Sequence, residues 1–243
     1  MINEVRNTVM FILNKDNNGY ITPEAFNNYA REAQIDELEE MFHDYNRALA
    51  KMNARMSGTG HGNIPQYLRE SIDKFTEYAE ELTYNNPGGG VTAHFLLPSA
   101  ANGDTTEWFR IMNIQYNNAV DIERVETYQI NNLNNSMMMA PSTDFPAYVH
   151  VADKVTVYPT TITANVNCSY IRYPQDPKWT YTVVGGDPVF NQGANDYQDF
   201  ELPKAFMPKI IRRIAEYCGV HIREAEVVQY MNMEQATDKQ LEQ

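Results

Sequence analysis

Tyr148-Val149-His150-Val151, Lys154-Val155-Thr156-Val157-Tyr158-Pro159, Cys168-Ser169-Tyr170-Ile171-Arg172-Tyr173 and Trp179-Thr180-Tyr181-Thr182-Val183-Val184 follow one another between Ala147 and Val184. Each run is short, rich in β-branched and aromatic residues, and bounded by turn residues, which is the pattern of strands. The spacing predicts an antiparallel meander whose side chains alternate between a core face and an exposed face, with Thr161 to Asn167 extending the third run. His150, between two valines, is assigned to the polar face. Upstream, Val91 to Pro98 reads as a short strand and Trp108 to Tyr116 as a stronger one. Ile122, Val125, Tyr128 and Ile130 admit a strand or a short helix, and are read as strand.

On both sides of this region the period changes from two to between three and four. Ile2, Val5, Val9, Ile12 and Leu13 form one helical face. Thr22-Pro23-Glu24 supplies a cap, a first-turn proline and an early acid for a segment reaching Met56, read as two helices or one interrupted helix. After the glycine-rich Ser57 to Gly62, Pro65 opens a helical stretch carried to about Tyr84 by Leu68, Ile72, Phe75, Tyr78, Ala79 and Leu82. Past a polar loop from Gly185 to Asp199, Phe206, Ile210, Ile211, Ile214 and Tyr217 form an apolar stripe. Pro208 marks its start and Gly219 its end. Val227, Val228 and Met231 fit a second short helix before a polar tail. The expected class is α+β, with N-terminal helices over 1–84, a central antiparallel sheet over 85–199, and C-terminal helices with a polar tail over 200–243.

Charge and composition narrow the function. The 243 residues carry 32 acidic and 19 basic side chains, a formal net charge of −13. That balance repels a phosphate backbone, so duplex DNA is a poor primary ligand and suits only passive contact past an acidic wall. Sixteen tyrosines and twelve methionines supply the adaptable contact area that protein interfaces use. Cys168 and Cys218 are read as two reduced thiols. Neither a basic, apolar leader nor an apolar run of roughly 18 residues is present, so no export signal and no membrane insertion are expected.

The motifs that could carry chemistry mostly fail on their own residues. Asn14-Lys15-Asp16-Asn17-Asn18-Gly19-Tyr20-Ile21-Thr22-Pro23-Glu24-Ala25 resembles an EF-hand loop, with Asn14, Asp16 and Asn18 as oxygen donors before the glycine. Asn14 stands where the first acid belongs, Ala25 where the closing glutamate belongs, and Glu24 falls one residue early. A hard cation lacks its charge compensation there, so the expected role is a turn and no metal or cofactor is assigned. Ser57 to Gly62 has no preceding strand and no Lys-Ser/Thr pair, so it is not a phosphate loop. His43, His61, His94, His150 and His221 have no metal-ligand spacing, and no GxSxG elbow accompanies a nucleophile. Glu39-Glu40, Glu80-Glu81 and Glu224/Glu226 read as solvated helix faces. The expectation is a protein that is not an enzyme.

Met1-Ile2-Asn3-Glu4-Val5-Arg6, the stretch 14–23, Arg172-Tyr173-Pro174 with Pro177-Lys178-Trp179, and Phe200-Glu201-Leu202-Pro203 together resemble virion structural proteins of crAss-like and related tailed phages of gut Bacteroidota. That resemblance implies a head-tail ring or adaptor: a closed, dodecameric homo-oligomeric ring joining the portal to later tail or ring proteins. It would be made in the host cytoplasm and reside at the head-tail junction of the virion. A cyclic ring needs a heterologous lateral interface. Tyr20, Ser57 to Gly62, Arg172, Lys178, Trp179, Tyr197, Phe200 and Leu202 are the candidate contacts, with Phe200 and Leu202 equally suited to a core. The alternatives are another tail or capsid-associated role, a degenerate EF-hand-like regulatory module, and an enzyme of unfamiliar type.

Overall fold

A computed structural model describes residues 1–13, 21–53, 64–89, 92–222 and 233. Helices and strands occur in the α+β order read from the sequence. The chain divides into two compact units, Met1–Ile72 with Pro174–Gln243, and Asp73–Tyr173.

The first unit is built on helices. In α1, Ile2–Leu13, the residues Ile2, Val5 and Val9 are fully buried at the predicted spacing. α2, Pro23–Asn53, is one helix of 31 residues. Thr22 caps it, its Oγ1 accepting the Ala25 N–H at 3.3 Å. Phe26, Ala30, Ala33, Leu38 and Met41 line its buried face. α3, Ile64–Ile72, packs on α2 and turns through a 3-10 segment at Asp73–Phe75. The helical periodicity was expected to continue to Tyr84, but Thr76 onward is strand. Tyr78, counted on the apolar face, is 81% exposed. The last helix of the described chain enters through a 3-10 turn at Lys204–Phe206 and runs from Met207 to Ile222, so Gly219 does not end it. Its buried Ile210, Ile214, Ala215 and Cys218 pack against α1 and α2.

The second unit is β-rich. Its strands are β1 (Thr76–Glu81), β2 (Thr83–Asn85), β3 (His94–Leu96), β4 (Trp108–Tyr116), β5 (Val120–Asp121), β6 (Glu123–Arg124), β7 (Ala147–Val151), β8 (Lys154–Tyr158) and β9 (Val166–Arg172). They form a four-stranded sheet ordered β1-β9-β4-β5 and a five-stranded sheet ordered β2-β3-β8-β7-β6. Both contribute to one core that includes Phe95, Leu97, Ile114, Tyr148, Val155, Val157, Val166, Cys168 and Tyr170. β4 matches its sequence bounds. The meander does not form: β7 and β8 make a hairpin, but β9 leaves for the other sheet and pairs with both β1 and β4. Five of the seven β9 residues are buried, Val166, Cys168 and Tyr170 on one face and Ser169 and Ile171 on the other, so the strand suits the middle of a sheet between two partners. β6 and β7 are parallel, the exception to the expected antiparallel order. Ile130, read as strand, begins α4 (Ile130–Asn134).

Two further strands, β10 (Tyr181–Val184) and β11 (Asp187–Phe190), form a separate hairpin that belongs to the first unit. β11 lies in what reads as a polar loop, since Asp187 and Pro188 are poor strand formers. Gly185 and Gly186, at φ +65° and +100°, supply the two-residue primed turn that matches strand twist.

Candidate interaction surfaces

Trp179 fixes the hairpin to the helices. Its side chain is 2% exposed, and its indole stacks on Tyr181 and Phe190 at 5.7 and 5.9 Å between ring centroids. The Arg6 guanidinium lies 3.9 Å from the ring centroid, a cation–π arrangement. The indole N–H donates to Asn3 Oδ1 at 3.1 Å. Asn27 brackets the backbone, accepting the Trp179 N–H at 2.8 Å and donating to its carbonyl at 3.3 Å. Trp179 is therefore a core residue with almost no surface for a neighbouring subunit, which corrects its assignment as an interface anchor. Phe200 and Leu202, 7% and 3% exposed, are likewise core.

The remaining candidates keep some surface. Lys178 is exposed and its Nζ pairs with Asp196 at 2.7 Å, while the backbone of Lys178 bridges to Gln198. Tyr197 is half-buried, edge-on to Phe190 at 5.8 Å. In the second unit, Arg172 Nε lies 3.3 Å from Glu77, and its guanidinium faces Phe75. Tyr20, Asn14, Asp16, Asn18 and Ser57 to Gly62 fall outside the described residues. Glu24 is exposed in the first turn of α2.

The most exposed run of apolar side chains among the described residues lies outside the candidates read from the sequence. Thr127 to Thr143 contains no charged residue, and it carries Tyr128, Met137, Met138 and Met139 at exposures from 69% to 103%. Phe145, 82% exposed, adjoins it. The turns are held by side chains: Ser136 Oγ accepts the Met139 N–H and Ser142 Oγ accepts the Phe145 N–H, both at 3.2 Å. Such Ser turns hold the backbone of the loop while the methionines project. The signal available beforehand was the Met-Met-Met run in a long uncharged segment; methionine side chains adapt to irregular partner surfaces.

Buried polar groups were also missed. Gln34 is buried in α2 with both ends of its amide used, Nε2 donating to Gln175 O at 2.9 Å and Oε1 accepting the Glu201 N–H at 3.1 Å. Glu37, 2% exposed, lies where α2 meets α5, Met207–Ile222. Arg213 serves three acids there: Glu37 at 3.5 Å, Glu40 at 3.0 Å and Glu216 at 3.9 Å. Lys209 pairs with Asp44 at 3.7 Å, and the Tyr217 hydroxyl donates to Asp36. Burial first, and the Glu40 charge second, push the Glu37 carboxyl up to about 7 against the opposing pull of Lys209 and Arg213. Glu40 is thus half-buried and paired instead of solvated. Glu80, read on a helix, lies on β1 and accepts the Tyr170 hydroxyl; that bond follows burial in raising the Tyr170 hydroxyl above its ordinary range.

Both cysteines, His94 and His150 are set in core surroundings, whereas His43 is exposed on α2. Cys168 and Cys218 are free and buried, and burial pushes both thiols up to about 12, far from a reactive thiolate. His150 shares the core side of its sheet, edge-on to Trp108 at 5.2 Å, so it does not occupy a polar face. His94 is buried, with Nδ1 3.1 Å from the Thr92 carbonyl. Among the described residues no group of three or more His, Cys, Asp or Glu is placed to hold a metal ion, and no helix is long and apolar enough to cross a membrane. The chain matches no protein-family model and no curated protein.

Proposed function

We propose that this chain is a structural subunit that works by assembly, and that its place is the portal-tail connector of a tailed phage, in a ring joining the portal to downstream tail components. The observation that carries the assembly reading is the uncharged loop from Thr127 to Thr143, which holds Met137, Met138 and Met139 out from the second unit. Exposing a contiguous apolar tip to water is unfavourable and invites association, so such a tip marks a surface that a partner covers. The virion address comes from the resemblance of the motifs, in their order, to crAss-like phage structural proteins. A net charge of −13 fits a role in which DNA passes without being held.

Native mass measurement of the chain alone and mixed with the cognate portal protein tests the address: a ring or a portal-dependent complex is expected, and a monomer under both conditions would refute it. Replacing Met137, Met138 and Met139 together by serine tests the surface. Because the three side chains are exposed, thermal stability should hold, while the affinity for the partner falls by about tenfold or more. Unchanged affinity would remove the loop from the interface.

A further inference from the structure

The sheet edges are protected unequally. An open edge is a template for another chain, and folded proteins blunt edges with charge, proline or bulges. β1 carries Glu77, Glu80 and Glu81 and a bulge at which Ala79 turns to φ +53°. β11 carries Asp187 and Pro188. β10 has none of these: Tyr181, Thr182, Val183 and Val184 are all exposed, uncharged and in regular register with β11.

The direction of the free backbone groups follows from the hairpin. The Asn191 N–H donates to the Thr180 carbonyl at 2.9 Å, and bonded and non-bonded pairs alternate along an antiparallel ladder. Thr182/Val189 and Val184/Asp187 are therefore the bonded pairs, and the N–H and C=O groups of Tyr181 and Val183 point away from β11. Among the described residues these groups have no partner. On the opposite edge the outward positions are Pro188 and Phe190, and Pro188 has no N–H to offer.

We propose that β10 pairs antiparallel with β10 of a second copy of this chain, about a two-fold axis through Thr182. In that register Tyr181 faces Val183 of the second copy and Val183 faces its Tyr181, so the outward donors and acceptors of the two edges satisfy each other. Thr182 meets Thr182 across the axis, and the Tyr–Val pairs are the aromatic and β-branched combination that stabilises cross-strand contacts. Charge permits the contact here: two chains of −13 repel over most of their surface, whereas Trp179 to Gly186 contains no charged residue. The contact closes on two copies and does not generate a ring, so it is independent of the connector reading. Four residues on each side make a weak contact, which a covalent trap can read.

The test uses the full chain with Thr182→Cys or Val184→Cys under mild oxidation. The native thiols are buried and stay out of the reaction. Across the axis the Cβ atoms of the two copies at position 182 would lie about 5 Å apart, close enough to bridge with small adjustment. The Val184 positions would be about 13 Å apart, four residues out of step. Disulfide-linked dimer should form at least about tenfold faster for Thr182→Cys than for Val184→Cys. Adding Val183→Pro to Thr182→Cys removes one outward donor and should bring the rate down to the Val184→Cys level. Equal rates for the two cysteine variants, no linked dimer from Thr182→Cys with its circular dichroism unchanged, or a rate insensitive to Val183→Pro would each overturn the proposal.

Discussion

Trp179→Ala is expected to unfold the helical unit at markedly lower temperature and denaturant concentration, with a loss of about 3–5 kcal/mol, the range for removing a buried tryptophan. The size of the effect follows from what the indole joins. Asn3 and Arg6 reach it from α1, Asn27 from α2, and Tyr181 and Phe190 from the hairpin. Truncation leaves a cavity lined on one side by a guanidinium that has lost its aromatic face, and frees the base of β10 and β11. Trp179→Phe keeps the stacking and loses the bond to Asn3, so it should cost less than half as much. Denaturant unfolding followed by circular dichroism measures both; the fluorescence of Trp108, the other tryptophan, reports the second unit. A Trp179→Ala chain that keeps wild-type stability but fails to assemble would restore the interface role.

The second large effect concerns the acids around Arg213. The folded Glu37 carboxyl titrates at about 7 against an ordinary 4.5, so between those values the folded chain keeps a proton that the unfolded chain has released. Raising the pH across that window favours unfolding. The contribution is complete below the unfolded value and is lost as pH rises through about 7. Its upper bound is on the order of 3 kcal/mol. Glu37→Gln should flatten the stability profile between pH 4.5 and 7 and raise the melting temperature at pH 8. Arg213→Ala should act oppositely, costing about 3–5 kcal/mol at pH 8 because Glu37 and Glu40 lose their shared cation. At pH 5, where Glu37 is protonated, the loss should shrink. Denaturant melts of the three chains at pH 5 and pH 8 check both signs, and a Glu37→Gln profile parallel to wild type would remove Glu37 as the source.

Which parts of this fold can be read from residues depends on whether a side-chain pattern has one cause or two. β4 is legible end to end because Trp108 to Tyr116 is rich in strand formers and flanked by turns. α1 and the buried face of α2 are legible because each repeats one apolar face. β1 is not: the bulge between Glu77 and Glu80 breaks the alternation, and Phe75, Tyr78 and Leu82 then fall at helical intervals although Tyr78 faces water. β9 is legible as a strand, but its partners are not, because pairing with β1 and β4 is settled by packing across fifty or more residues of sequence. β11 is hidden by Asp187 and Pro188, which an edge tolerates and a sheet interior does not. Among the interaction candidates, buried Trp179 and partly exposed Tyr197 have the same sequence character, so composition does not separate core from surface. The exposed methionines needed a map of what was left uncovered, and Glu37 needed the position of α5.

The division of the chain also sets an order of events. The second unit is one continuous segment, whereas the first is assembled from residues on either side of it. The cap of α1 shows the separation: Asp199 Oδ1 accepts the Ile2 N–H at 2.8 Å. During vectorial synthesis the β-rich segment has all of its strands while the early helices still wait for Trp179, Asp199 and α5. For that interval the apolar faces of α1 and α2 stand open, and this nascent form, more than the finished protein, is where a chaperone or a premature encounter with another chain would act.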